Sequence, residues 1–148
     1  MKTPVAEKLI LNIQRVIRAP RPRVFAAFAS LEEIKKWLGG GNHVTAGKMD
    51  FRKGGQYLFT SVCADTGPAD LVGTYQEIVP NELIRFTWKK TGAATEHWGE
   101  MLVTVRFADH KDGTLLSLTH EGFINEEVRQ GHNKGWCASF DQLGKNLE

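Results

Sequence analysis

Cysteine is scarce in this sequence, and that scarcity is the first thing to narrow the field. Only Cys63 and Cys137 occur in 148 residues, far apart and with no CxxC partner. A disulfide framework is therefore not expected, and a reducing compartment, the cytoplasm, is the natural reading. Long hydrophobic runs are missing too: nothing approaches the roughly 20 apolar residues of a membrane span. Leu9-Ile10-Leu11-Asn12-Ile13, behind the Met1–Pro4 start, is too short and too interrupted for a signal-peptide core. Nor is one sign of charge in excess. Nineteen Lys and Arg against seventeen Asp and Glu leave a net charge of +2, whereas nucleic-acid binding calls for a clustered basic face. The densest positive patch, Arg15, Arg18, Arg21 and Arg23, reads as solvated surface. No linker, repeat or low-complexity segment interrupts the chain, so residues 1–148 are read as one domain.

What is present is a strand-rich pattern closed by one long helix. Leu9, Leu11 and Ile13 alternate with polar residues up to Ile17, the period of a half-buried strand. Pro20 and Pro22 end it and introduce a short helix over Val24–Phe28. Ser30-Leu31-Glu32-Glu33 fits a capping box for a second helix through Ile34 and Trp37, ending at Gly39-Gly40-Gly41. Strands then follow at Met49–Phe51, Tyr57–Val62, Asp70–Val79, Leu83–Lys89, Glu100–Ala108 and Thr114–His120. Turn signals at Arg52-Lys53-Gly54-Gly55 and Lys111-Asp112-Gly113 separate two pairs of them. From about Asn125 a helix runs to the end. It carries Val128, His132, Trp136, Phe140, Leu143 and Leu147 on one face and Glu127, Lys134, Asp141 and Lys145 on the other. Consecutive hairpins make an antiparallel sheet, and this helix is the one long amphipathic element able to cover its concave face.

The motifs that carry chemistry mostly fail in detail. Asn42-His43-Val44-Thr45-Ala46-Gly47-Lys48-Met49 lacks the first glycine and the hydroxyl of a phosphate-binding loop, and it precedes a strand. His43, His97, His110, His120 and His132 show no metal-ligand spacing, and His120-Glu121 has its next histidine twelve residues on. No serine or cysteine nucleophile has an adjacent base, so covalent catalysis finds no positive support. Neither a cofactor nor a metal is expected.

His120 shares its strand parity with Leu116 and Leu118, and His132 sits within the apolar helix stripe. Both are expected to border the space between sheet and helix. Two readings stand side by side: structural histidines satisfied by hydrogen bonds, or a polar pair that orients a ligand or exchanges a proton near neutral pH. The aromatics Phe51, Tyr57, Phe59, Tyr75, Phe86, Trp88, Trp136 and Phe140 on the inner surface either fill a core or wall an apolar pocket. Arg85 and Glu100 are strand surface or pocket rim.

Four segments together resemble a known family. They are Ile17-x-Ala19-Pro20-x-x-x-Val24-Phe25, Phe51-Arg52-x-Gly54-Gly55-x-Tyr57-x-Phe59, Gly73-x-Tyr75-x-Glu77-Ile78-x-Pro80, and Gly113-Thr114-x-Leu116-x-Leu118-x-His120-x-Gly122-Phe123 followed by Gly135-Trp136. The chain resembles the homologues of the heat-shock-protein-90 ATPase activator, in the START-like (SRPBCC, helix-grip) superfamily. The resemblance implies an α+β helix-grip fold: a curved antiparallel sheet of six or seven strands around a long C-terminal helix, with two short helices after strand one and a hydrophobic cavity between sheet and helix. It also implies that Gly54 and Gly55 serve a tight turn and Gly135 a close helix approach.

The expected function is binding of a small apolar or amphipathic molecule. The candidate lining is Trp37, Phe51, Tyr57, Phe59, Tyr75, Trp88, Met101, His120, His132, Trp136 and Phe140. The alternatives are a cavity enzyme of cyclase or hydrolase type using His120 or His132, and a chaperone-accessory or stress-response interaction protein. A homodimer through an exposed sheet edge is permitted.

Overall fold

A computed structural model of the chain describes residues 9–40, 44–63 and 67–148, with the backbone alone for residues 62, 63, 67 and 68. The Met1–Pro4 start, the helix-ending Gly41, the loop residues Asn42 and His43, and the side chain of Cys63 lie outside the described residues. The elements in order are β1 (Ile10–Ile17), α1 (Arg21–Ala26), α2 (Leu31–Trp37), β2 (Val44–Met49), β3 (Gln56–Cys63), β4 (Gly67–Val79), β5 (Leu83–Lys90), β6 (Met101–His110), β7 (Gly113–Glu121) and α3 (Glu126–Leu147). Single 3-10 turns occur at Leu38–Gly40 and Glu96–Trp98.

All neighbouring strands pair antiparallel in the order β1-β7-β6-β5-β4-β3-β2. This is the helix-grip arrangement, with seven strands and α3 against the sheet. Clean alternation does most of the work. In β7 every second residue from Thr114 to His120 is buried, so its inner row is Thr114, Leu116, Leu118 and His120. Register then sets His120 opposite Val103 of β6 and Trp88 of β5 opposite Met101.

The local signals act with three adjustments. Pro22 is accepted in the first turn of α1, so that helix begins at Arg21, three residues before the expected start, and ends at Ala26. Ser30 Oγ accepts the Glu33 amide at 3.3 Å, but the Glu33 carboxylate turns to Arg23 and Lys36 instead of closing the capping box. The second strand covers Val44–Met49 rather than Met49–Phe51, because the chain already turns at Asp50–Gly55. Phe51 thus lies in the turn. Gly54 takes φ +84° there, a conformation that suits glycine. The four clustered arginines are largely paired: Arg15 with Asp141, Arg21 with Asp109, and Arg23 with Glu33.

At Gly73, in the middle of β4, space is the constraint. A Cβ there would meet the Thr87 carbonyl at 2.0 Å and the Tyr57 ring at 2.5 Å. The same Thr87 carbonyl accepts the Tyr57 hydroxyl at 2.6 Å. Gly73→Ala is expected to destabilise the fold by about 2–4 kcal/mol, since backbone must move to admit one methyl. A urea titration checks this, and a change under about 0.5 kcal/mol, the size of an ordinary surface effect, would contradict it.

Candidate functional site

The site forms where α3 crosses the sheet. Asn125 caps the helix, its Oδ1 accepting the Val128 amide at 2.8 Å. Two hydrogen bonds then link helix and sheet in opposite directions. Trp88 of β5 donates its indole Nε1–H to His132 Nε2 on α3 at 3.3 Å. Trp136 of α3 donates to His120 Nδ1 on β7 at 3.0 Å. An indole nitrogen can only donate, so each histidine must present a bare ring nitrogen there. His132 Nδ1 lies 2.9 Å from the Val128 carbonyl, which can only accept, so Nδ1 carries the proton. His120 correspondingly carries its proton on Nε2, which is buried without a hydrogen-bond partner among the described residues.

Both rings are thereby held neutral. Burial pushes the His120 pKa well below the ordinary range, helped by His132 and by the positive charge of Lys90. Burial is also the main cause for His132, lowered to about 4, with Lys90 adding to the effect and the Val128 carbonyl opposing it. At neutral pH the pair consists of weak bases, with three of its four ring nitrogens engaged.

Beside this clamp lies a cavity of about 840 Å³. Its sheet wall comes from Val44, Phe59, Leu71, Trp88 and Lys90, and the 3-10 turn at Glu96–Trp98 adds His97 and Trp98. On the helix side it is bordered by Glu127, Val128, Gly131, His132, Lys134, Gly135, Trp136 and Ser139. The Leu38–Gly40 turn closes one end. There the Gly39 amide donates to Ser139 Oγ at 2.7 Å, and Ser139 in turn donates to the Gly135 carbonyl.

Of the eleven candidate residues, Phe59, Trp88, His132 and Trp136 line this cavity. Trp37, Tyr57 and Tyr75, with Phe59, Trp88 and Trp136, border a separate void of only about 20 Å³, where the aromatics pack on one another. Met101, His120 and Phe140 are buried at 2% exposure or less and line neither space. Phe51 packs edge-on against Phe25 and Tyr75. Arg85 pairs with Glu77, and neither Arg85 nor Glu100 borders the cavity. Among the described residues no cluster of His, Cys, Asp or Glu is able to hold a metal, and no helix is long and apolar enough to cross a membrane.

Gly135 departs from its expected role. A Cβ at Gly135, or at Gly131 one turn earlier, would meet no atom within 4 Å. Neither glycine brings the helix close to anything. Both face open space along the cavity. Sequence reasoning also passed over Trp98 and Lys90: Trp98 lies in an aperiodic polar loop, and Lys90 ends a strand as ordinary surface lysines do. The Gly131-x-x-x-Gly135 spacing was the one visible signal, since it exposes one strip of helix backbone.

The sequence of residues 18–148 matches the profile of the family described as Activator of Hsp90 ATPase homolog 1-like protein. The protein belongs to this family. No curated protein matches the chain. Among solved structures it is similar to protein CV1439 from Chromobacterium violaceum, at 29% identity and a TM-score of 0.77 over 94% of this chain and 97% of that one. It is also similar to Mll3558 from Rhizobium loti, at 26% identity and a TM-score of 0.80 over 93% and 96%. Ms6760 from Mycobacterium smegmatis shares the fold at 18% identity, with a TM-score of 0.83 over 97% and 93%.

The neutral imidazoles carry a pH signature. In the unfolded chain both histidines titrate near the ordinary 6.5, whereas the folded values lie below it. Unfolded chains therefore take up protons first as pH falls. The stabilisation is full above about 6.5 and is lost as pH drops toward about 4. Each histidine contributes about 1.4 kcal/mol per pH unit in that window. Denaturant unfolding at pH 7.5 and pH 5 is expected to differ by about 2–4 kcal/mol, and equal stabilities would contradict neutral burial.

Proposed function

We propose that the protein binds a small apolar or amphipathic molecule in the cavity between the β2–β5 part of the sheet and α3. The observation that carries this reading is the pair of bare glycines on the cavity side of α3. Glycine inside a helix costs about 1 kcal/mol relative to alanine. Here that cost is not offset by closer packing, and its effect is to keep the helix wall of an 840 Å³ space free of side chains. Volume and lining suit a ligand site: aromatic surface with a few polar groups. Burying about 300 Å² of apolar ligand surface yields roughly 7 kcal/mol before ordering costs, which puts the affinity at about ten micromolar or weaker unless polar contacts add to it.

The scarce cysteines support placing this binding protein in the cytoplasm. The family description supports chaperone contact as a second reading, and co-purification with a chaperone and a change in its ATPase rate are its test.

Gly131→Leu and Gly135→Leu are expected to leave the fold intact, since each new side chain enters open space and improves helix propensity by about 0.8 kcal/mol. Each should weaken binding of dodecanol and of phenylnaphthylamine at least about tenfold, read by tryptophan fluorescence from Trp88, Trp98 and Trp136. Thermal melts confirm folding. Folded variants that bind both probes as the wild type does would reject this cavity as the site.

A further inference from the structure

The small aromatic void and the large cavity are neighbours. Leu38, Phe59, Trp88 and Trp136 line both spaces. Behind them the void is walled by buried Phe28, Ile34, Trp37, Tyr75, Ile84 and Phe86. Its volume of about 20 Å³ is room for one group of methyl or water size. The lining side chains spend most of their polar atoms elsewhere. The Trp37 indole donates to the Ala27 carbonyl at 2.9 Å, Trp88 to His132, Trp136 to His120, and the Tyr57 hydroxyl to the Thr87 carbonyl. The Tyr75 hydroxyl is then the one lining side-chain donor left among the described residues, whereas a buried water needs two to four partners. The void suits an apolar group. A methyl there would supply the dispersion contacts that its walls otherwise forgo.

Three of the four shared walls are held in place. Trp88 and Trp136 are tied by their indole hydrogen bonds, and Phe59 packs on Tyr57 with ring centres 4.8 Å apart. Leu38 is the exception. It is the one aliphatic shared wall, and it sits beside Gly39 and Gly40 at φ +72° and +95°. A change of its side-chain rotamer breaks no hydrogen bond.

Resting on the cavity reading above, we propose that the void is an end subsite for a ligand with an unbranched alkyl tail. The body of the ligand lies in the large cavity, and its terminal methyl passes Leu38 and seats between Ile34, Ile84 and Phe86. A space of this size accepts a single methyl and rejects a branched end, so the subsite selects linear chains.

The test uses dodecanol labelled with ¹³C at its terminal methyl, and the dodecanol isomer that ends in a tert-butyl group. The two carry the same number of carbons, so their transfer from water is closely similar. Dodecanol should bind at least about fourfold tighter, the worth of one buried methylene-sized group. In filtered nuclear Overhauser spectra its labelled methyl should contact Ile34 and Ile84, which line the void alone. Leu38→Ala joins the two spaces and should bring the isomers within about twofold of each other. Ile34→Ala enlarges the void and should favour an alkanol longer by one carbon or more. Contacts of the labelled methyl confined to Leu71, Trp98 and Val128, which line the large cavity alone, overturn the subsite and leave the cavity reading standing. Equal binding of the isomers to the wild type does the same, as does binding of phenylnaphthylamine without binding of any alkanol. Failure of every probe to bind overturns both. The contacts and the isomer comparison are read on the wild type, so they decide the matter even where a variant does not fold.

Discussion

The whole arrangement depends on two indole–imidazole hydrogen bonds that cross between sheet and helix in opposite senses. Trp88 reaches up from β5 to His132, and Trp136 reaches down from α3 to His120. Each bond nets only about 1 kcal/mol. Their importance lies in specificity. A helix whose apolar stripe is merely greasy can slide or rotate on a sheet, whereas two donors meeting two acceptors on opposite partners fix one rotation and one height. The condition is that both imidazoles stay neutral, and the surrounding rings of Phe123, Trp88 and Trp136 enforce it by excluding water.

With the rotation of α3 fixed, the remaining features follow. Phe140 and Leu143 go into the core against Trp37 and its neighbours. Arg15 of β1 meets Asp141 on the outer face. The flank carrying Gly131, Lys134 and Gly135 is then turned toward the β2–β5 part of the sheet without touching it, and the gap between them is the cavity. The cavity therefore lies along a flank of the helix, beside the buried stripe rather than under it. The stripe anchors the helix so that the flank can stay bare.

The fold was legible because its signals are local and mutually consistent. Period-two alternation in β7, the Gly54 turn and the apolar stripe of α3 each specify an element, and consecutive hairpins leave the helix one place to go. The resemblance carried by the Ala19-Pro20, Gly54-Gly55 and His120-x-Gly122-Phe123 segments agrees with the family to which the chain belongs. The site was legible only in part. Hydrophobic periodicity reports which side chains leave water, and it cannot separate a residue that fills a core from one that walls a void. Phe140 and Trp136 look alike on a helical wheel, yet only Trp136 borders the cavity. Lys90 and Trp98 were invisible for the opposite reason, since a strand-end lysine and a loop tryptophan have no periodic context.

The most direct measurement is the protonation and tautomeric state of the two imidazoles, read from ¹⁵N chemical shifts in a long-range proton–nitrogen correlation spectrum at neutral pH. The expected result is two neutral rings of opposite kind, with the proton on Nε2 in His120 and on Nδ1 in His132. A charged ring at either position, or the same tautomer at both, would mean that the two tryptophans do not donate as described and that something else holds the helix in place.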